Sequence, residues 1–234
     1  MTIRAILCVV LLTVAAWPSA SRAEDLTGKM GEASFNLAMP QDYCVPERAS
    51  AGERVFVDYI NKAMENAGSK VMRIVANCAE LQARRANSST NIFDYVVYYF
   101  PRSVENTTLQ GDRAANRKTE CDDLRQQTDE AIKDVPQISE RTAREMKIKG
   151  SVKNIQYLGV LDEDQHGCYG ALLSRNVDGK GNVYVVYVVV LRTVLHGKDI
   201  WVGVYSQYGS AAASLRTLQL AKTTAAQLDQ ENPE

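Results

Sequence analysis

The chain has 234 residues, 45% of them apolar and 24% charged, and its 27 basic and 28 acidic side chains leave a formal charge of −1. That balance gives no general attraction to nucleic acid or anionic lipid, whose binding needs a clustered basic surface. The length supports one sizeable core and forces no second domain.

The opening, MTIRAILCVVLLTVAAWPSASRAED, has the three parts of a secretory signal: Arg4, an apolar core from Ala5 to Trp17, and small residues Ser21 and Ala23 at positions −3 and −1 of a cleavage site. The apolar core is shorter than the ~20 residues a spanning helix needs. The expectation is a signal peptide over residues 1–23, a single domain over 24–234, no membrane span after cleavage, and a periplasmic or secreted location. Removing Arg4 and Arg22 leaves 25 basic residues against 28 acidic ones, a formal charge of −3. Cys8 sits inside the apolar core, after Leu7, and is no lipoprotein cysteine. Four cysteines remain, Cys44, Cys78, Cys121 and Cys168. No CxxC spacing favours a metal or a redox dithiol, so two structural disulfides are expected.

SFNLAM, Ser34 to Met39, alternates apolar and polar residues before Pro40 and reads as a short strand. Ser50 and Glu53 have capping-box spacing. The helix they open should put Val55, Phe56, Tyr59, Ile60, Ala63 and Met64 on one face and stop at Gly68. Lys70 to Ala76 reads as a second strand. If the two strands pair in parallel through a right-handed crossover, Cys44 and Cys78 follow the same sheet edge and form a bridge. Asn91 to Phe100 is a third strand, rich in aromatic and β-branched residues. Arg113 to Ile132 reads as a helix with Ala114, Cys121, Leu124, Thr128 and Ala131 on one side and Arg117, Lys118, Glu120, Asp122 and Arg125 elsewhere. Cys121 then points at the sheet, where Cys168 is the remaining partner for a second bridge.

Pro136 to Lys149 is mixed and charged, with a short helix begun at Ser139. Strands follow over Lys153 to Leu161, Cys168 to Arg175, Val183 to Leu195 and Ile200 to Tyr208. The turn-rich DEDQHG, NVDGKGN and HGKD between them make a four-stranded antiparallel meander. YVVYVVVLRTVL, from Tyr184, is apolar on both faces, too short for a helical span and interrupted by Arg192, so it should be the central strand, covered by helices. A helix from about Ala211 to Gln230 closes the chain, with Leu215, Leu218, Ala221, Ala225 and Leu228 as its apolar stripe. The fold class is α+β, a mostly antiparallel sheet of about six to seven strands with packed helices and a C-terminal amphipathic helix.

Chemistry is sparse. His166 and His196 both lie in hairpin turns, and the serine in GVYSQYG departs from GxSxG, so no triad is expected. Neither a P-loop, a dinucleotide fingerprint nor HExxH occurs, and no cofactor is called for. Asp162, Asp164 and His166, with Glu163, form the densest group of possible metal ligands, against the plainer reading of a solvated acidic turn. Asn176 to Asn182 resembles a calcium loop faintly, but Lys180 occupies a ligand position and a hairpin explains its glycines better. Tyr95, Tyr98, Tyr99, Tyr205 and Tyr208, with Tyr184 and Tyr187, place many phenols on strands, where they line either a binding surface or the core.

The order of elements ending in GKDIWVGVYSQYG and an amphipathic helix resembles the α/β sandwich shared by the photosystem protein PsbP and the periplasmic DcrB proteins. The PQDYC and NCAEL segments are similar to a group of exported proteins of Gram-negative bacteria. The resemblance implies a small non-catalytic accessory domain that binds or assembles other proteins, and it transfers no functional residue. The expected function is therefore binding of a partner protein or envelope component. The alternative is a small-ligand or metal carrier that uses a tyrosine-lined groove or the Asp162 to His166 turn.

Overall fold

The computed structural model describes residues 26–88, 90–126 and 132–233, so the expected signal peptide lies outside the described residues. The chain enters through a hairpin of β1 (Thr27–Met30) and β2 (Ala33–Asn36), then a two-residue strand β3 (Tyr43–Cys44). Helix α1 (Ala51–Asn66), strand β4 (Ser69–Asn77), helix α2 (Cys78–Ala86) and strand β5 (Tyr95–Pro101) follow. Helices α3 (Arg113–Gln126) and α4 (Val135–Glu145) precede β6 (Ser151–Asp164), β7 (Gly167–Val177), β8 (Val183–Leu195) and β9 (Lys198–Gln207). Helix α5 (Ala211–Glu231) closes the chain.

The main sheet has seven strands, all paired antiparallel, in the order β3-β4-β5-β9-β8-β7-β6. The expected meander is present, and with the closing helix it makes an α+β fold. Strand β8 is buried from Val186 to Leu195 and hydrogen-bonded on both sides, which is what its two-faced apolar sequence demands. It lies one place off the middle, which β9 occupies.

Side chains alternate between two sheet faces. One face carries Val96, Tyr98, Phe100, Tyr169, Tyr187, Val189, Leu191, Ile200, Val202 and Val204, covered by Ala221, Ala225 and Leu228 of α5 and by Phe35 and Leu37 near the hairpin. The other face carries Val97, Tyr99, Val186, Val188 and Val190. Helix α1 lies over β4, α3 over β7 and β8, and α4 spans α1 and β6.

Several local expectations change. SFNLAM does not join the main sheet: β2 pairs antiparallel with β1 in a separate two-stranded sheet, so the expected parallel crossover between it and β4 does not occur. Cys44 and Cys78 are nevertheless at disulfide-bonding distance, with Cα atoms 5.1 Å apart. The cause is the antiparallel pairing of Cys44 with Ala76, which leaves Cys78 two residues further on, at the start of α2. The second expected bridge is not formed. Cys121 and Cys168 meet as α3 crosses the start of β7, but both are buried free thiols among Leu124, Tyr157 and Val160. Burial pushes both thiols up and so disfavours the thiolate that would start an exchange.

Ser50 makes no side-chain cap, and Glu53, 0% exposed, accepts instead from the Glu47 amide at 2.6 Å and pairs with Arg85 of α2. Helix α2 was not anticipated, although Asn77 caps it by accepting from Ala79 and Glu80 amides. Helix α4 starts before Ser139, with Pro136 in its first turn, where a missing amide costs nothing. Leu215 is 66% exposed and outside the stripe of α5, whose buried face is Thr217, Ala221, Thr224, Ala225 and Leu228. Arg117 and Glu120 of α3 are buried through ion pairs with Asp229 and Arg192. Thr128 and Ala131 lie outside the described residues.

Candidate functional site

Strand β5 begins, β9 ends, β7 ends and β8 begins at one end of the sheet, and there the second face is left partly uncovered between α1 and the loop before β6. A cavity of about 270 Å³ opens at this place. Its floor is set by register. Tyr95 of β5 stands directly opposite Tyr205 of β9, which stands directly opposite Val188 of β8. The Tyr95 and Tyr205 rings stack, 4.3 Å between centroids and 9° between planes. Gly203 makes this possible, because a Cβ there would meet Cε2 of Tyr205 at 2.7 Å. Phe56 of α1 meets Tyr95 edge-on at 5.3 Å, and Phe93 meets Tyr184 in the same way at 5.3 Å.

The walls are tied by hydrogen bonds. Ser139 of α4 shares a 3.1 Å hydrogen bond with the Tyr59 hydroxyl, and its Oγ accepts from the Val152 amide at 2.8 Å. Asn66 of α1 donates to Thr142 of α4 at 2.8 Å. Arg84 of α2 donates to the Gly52 carbonyl at 2.8 Å and to the Thr90 carbonyl, fixing the α2 side of the mouth. Asp178 at the rim accepts from Asn182 and Lys180, which hold its carboxyl below the usual range. The calcium-like segment is thus a self-bonded hairpin turn.

Tyr59, Tyr95, Tyr184 and Tyr205 converge on this cavity. Burial, then the neighbouring phenols, pushes Tyr95 up; burial alone pushes Tyr205 up to about 12. Burial, then Tyr59 and Asp178, raises Tyr184. Tyr95, Tyr184 and Tyr205 are therefore neutral donors near pH 7. Among the described residues no group accepts a hydrogen bond from the hydroxyls of Tyr95, Tyr184 or Tyr205. Neutral phenols over an apolar floor can bind a ligand.

The other tyrosines go elsewhere. Tyr98 and Tyr187 face α5, Tyr98 donating to the Ala38 carbonyl at 2.5 Å. Tyr99 packs against Trp201 deeper on the second face, and Tyr208 is exposed beyond β9. Sequence reading missed Phe56, Tyr59 and Phe93 as partners; the i, i+3 spacing of Phe56 and Tyr59 was their one signal.

The proposed metal ligands are already engaged. Asp162 pairs with Lys222 of α5 at 2.7 Å, and Asp164 accepts from the Tyr169 hydroxyl at 3.0 Å. His166 turns away, its Nδ1 2.8 Å from Asp229. Residues 162 and 164 share one strand face, which puts both carboxylates against α5. Among the described residues no group of three or more histidine, cysteine, aspartate or glutamate side chains could hold a metal ion. Ser206 is hydrogen-bonded to Thr217 at 2.6 Å, at the opposite end of β9 from His196.

A second cleft of about 220 Å³ lies across Phe93 and Tyr205, among Tyr43, Glu80, Asp94 and Arg216. Burial pushes both carboxyls up. Glu80 accepts from the Phe93 and Asp94 amides at 2.8 and 2.9 Å, so it shapes the loop that carries Phe93. No helix among the described residues is long and apolar enough to cross a membrane. Compared with known proteins, the chain matches no family model, no curated protein and no solved structure.

Proposed function

We propose that the protein is an exported, non-catalytic binding domain whose working site is the aromatic cavity, and that it takes a small ligand there. The observation that carries this reading is the convergence of Tyr95, Tyr184 and Tyr205 on a recess of about 270 Å³ where, among the described residues, no group accepts from their hydroxyls. Pockets of this kind combine apolar walls with a few polar groups that orient the ligand. A disulfide-bonded pair in Cys44 and Cys78 supports a periplasmic or secreted location.

The test is native mass spectrometry of protein recovered from the compartment to which it is exported. The wild type should carry a mass excess that is lost on denaturation and absent from Tyr205→Leu. A bare wild type that also gains no thermal stability from a panel of ring-containing compounds overturns the reading. Docking of a partner protein is a second reading, favoured by Leu158 and Leu161, each 41% exposed on the outer strand β6. A photo-crosslinker at position 158 that captures no cellular protein removes it.

A further inference from the structure

Resting on the cavity as a ligand site, we infer that its ligand is an apolar molecule ending in a carboxylate, which sits at the cavity rim with the Tyr184 hydroxyl and the Lys149 ammonium. The deep end of the recess is closed to it. Val188 is 3% exposed, and Tyr205, Leu172, Tyr184 and Trp201 already pack on the cluster it shares with Val186 and Val190. The open part lies between α1 and the segment joining α4 to β6, where exposed Val55 and half-buried Phe56 and Val152 supply the apolar wall. The tyrosines supply donors. Among the described residues no group accepts from the hydroxyls of Tyr95, Tyr184 and Tyr205, yet none of the three is a buried atom without a partner, so each is open to solvent. A hydroxyl that meets water can exchange it for an acceptor on a ligand.

The charges point the same way. The lining holds two cations, Arg84 and Lys149, against one carboxylate, Asp178. Asp178 is taken up by the amides of Lys180 and Asn182 and by the Asn182 side chain, and Arg84 is held by the Gly52 and Thr90 carbonyls. Lys149 has no partner for its ammonium among the described residues. Its backbone is fixed at the rim by two glycines. Gly150 has φ +108°, which side chains rarely adopt, and a Cβ there would meet the Val177 carbonyl at 2.7 Å; a Cβ on Gly179 would meet Lys149 Cβ at 3.3 Å. Residues 149 and 150 therefore lie against the turn between β7 and β8. Burial, then Tyr59 and Asp178, raises the Tyr184 phenol, which sets that hydroxyl near the same turn. A neutral donor and an unpaired cation at one rim select a singly charged acceptor, and a carboxylate is the simplest one.

The experiment compares three probes with one apolar body and different heads, 4-phenylbutyrate, 4-phenylbutan-1-ol and 4-phenylbutylamine, by calorimetry on the mature, oxidised wild-type chain. 4-Phenylbutyrate should bind roughly tenfold tighter than the alcohol, the range of one charge-assisted hydrogen bond, and the amine should bind weakest. An amine or alcohol that binds as tightly as the acid overturns the carboxylate and leaves the cavity as a general apolar site. Binding of none of the three overturns both the carboxylate and the cavity reading. Two variants place the head. Tyr184→Phe, which keeps the ring, should lower 4-phenylbutyrate affinity roughly tenfold, and Lys149→Met, at an exposed position, should lower it roughly threefold. Lys149→Met should leave the affinity for the alcohol unchanged, which a general disturbance of the wall would not. Undiminished 4-phenylbutyrate binding to both folded variants overturns the rim as the seat of the carboxylate.

Discussion

Replacing Gly203 by alanine should destabilise the protein through one ring. An added Cβ would lie 2.7 Å from Cε2, 3.1 Å from Oη and 3.2 Å from Cζ of Tyr205, the first closer than real Cβ contacts come. The backbone there is ordinary β9 strand, where alanine is tolerated, so the cost arises from moving the ring. Shifting it off its rotamer costs about 0.5–1.5 kcal/mol, and loosening the stack on Tyr95 costs up to about the same. The sum, about 1–3 kcal/mol, agrees with the range for overpacking a filled site. In a domain of roughly 200 residues this lowers the melting temperature by a few degrees per kcal/mol. The assay is a double-mutant cycle of Gly203→Ala and Tyr205→Leu, followed by chemical denaturation. Once the ring is gone, the alanine should cost less than about 0.5 kcal/mol, giving a coupling above about 1 kcal/mol. An undiminished cost in the Tyr205→Leu background would refute the reasoning, because the strain would then belong to the strand itself.

Other consequences follow from the buried groups. The denatured, unreduced chain should be lighter than the reduced one by two hydrogens, from Cys44 and Cys78 alone. Cys121 and Cys168 should react with an alkylating agent only after unfolding, and a loss of four hydrogens would contradict the free-thiol state. Cys44→Ser should cost about 2–4 kcal/mol. Arg192, buried between Glu120 and Asp199 and lying over the Trp201 ring at 4.6 Å, neutralises two carboxylates at once. Arg192→Met should therefore cost about 3–5 kcal/mol, reduced in the Arg192→Met, Asp199→Leu pair; a cost below about 1 kcal/mol would show that the acids find other partners. The pH dependence of the phenols has a definite sign. Burial raises Tyr205 from an ordinary 10.0 to about 12 and raises Tyr95 and Tyr99 as well. Their contribution to stability is complete below pH 10 and is lost as pH rises towards 12, because the unfolded phenols ionise first. Tyrosinate absorbance of these residues should appear together with unfolding, and their ionisation near pH 10 in a folded chain would count against the burial argument.

The strands from Lys153 onward, the closing helix and the covered valine-rich strand were legible because they depend on local period and turn chemistry. A residue two positions along a strand faces the same way whatever surrounds it. The Cys44–Cys78 pairing was also anticipated, yet from a parallel crossover that the protein does not have. A parallel pairing of SFNLAM with β4 and the observed antiparallel pairing of β3 with β4 both leave the same two cysteines adjacent, so a correct contact did not certify the topology.

What tertiary structure alone decided was which strands stand beside one another outside the meander, above all β5 beside β9, and with it the properties that depend on that register. Tyr95 and Tyr205 are 110 positions apart in sequence numbering, and only the β5–β9 pairing sets them face to face with Val188 beyond. Their ordinary β-strand alternation separates them from Tyr98 and Tyr187, but it cannot say which face a helix leaves open. The acidic turn shows the same limit. Asp162, Asp164 and His166 look like ligands in sequence because the partners that occupy them, Lys222, Tyr169 and Asp229, arrive from β7 and from the last helix. Local sequence sets what each side chain can do, and long-range pairing sets which of those capacities is already used.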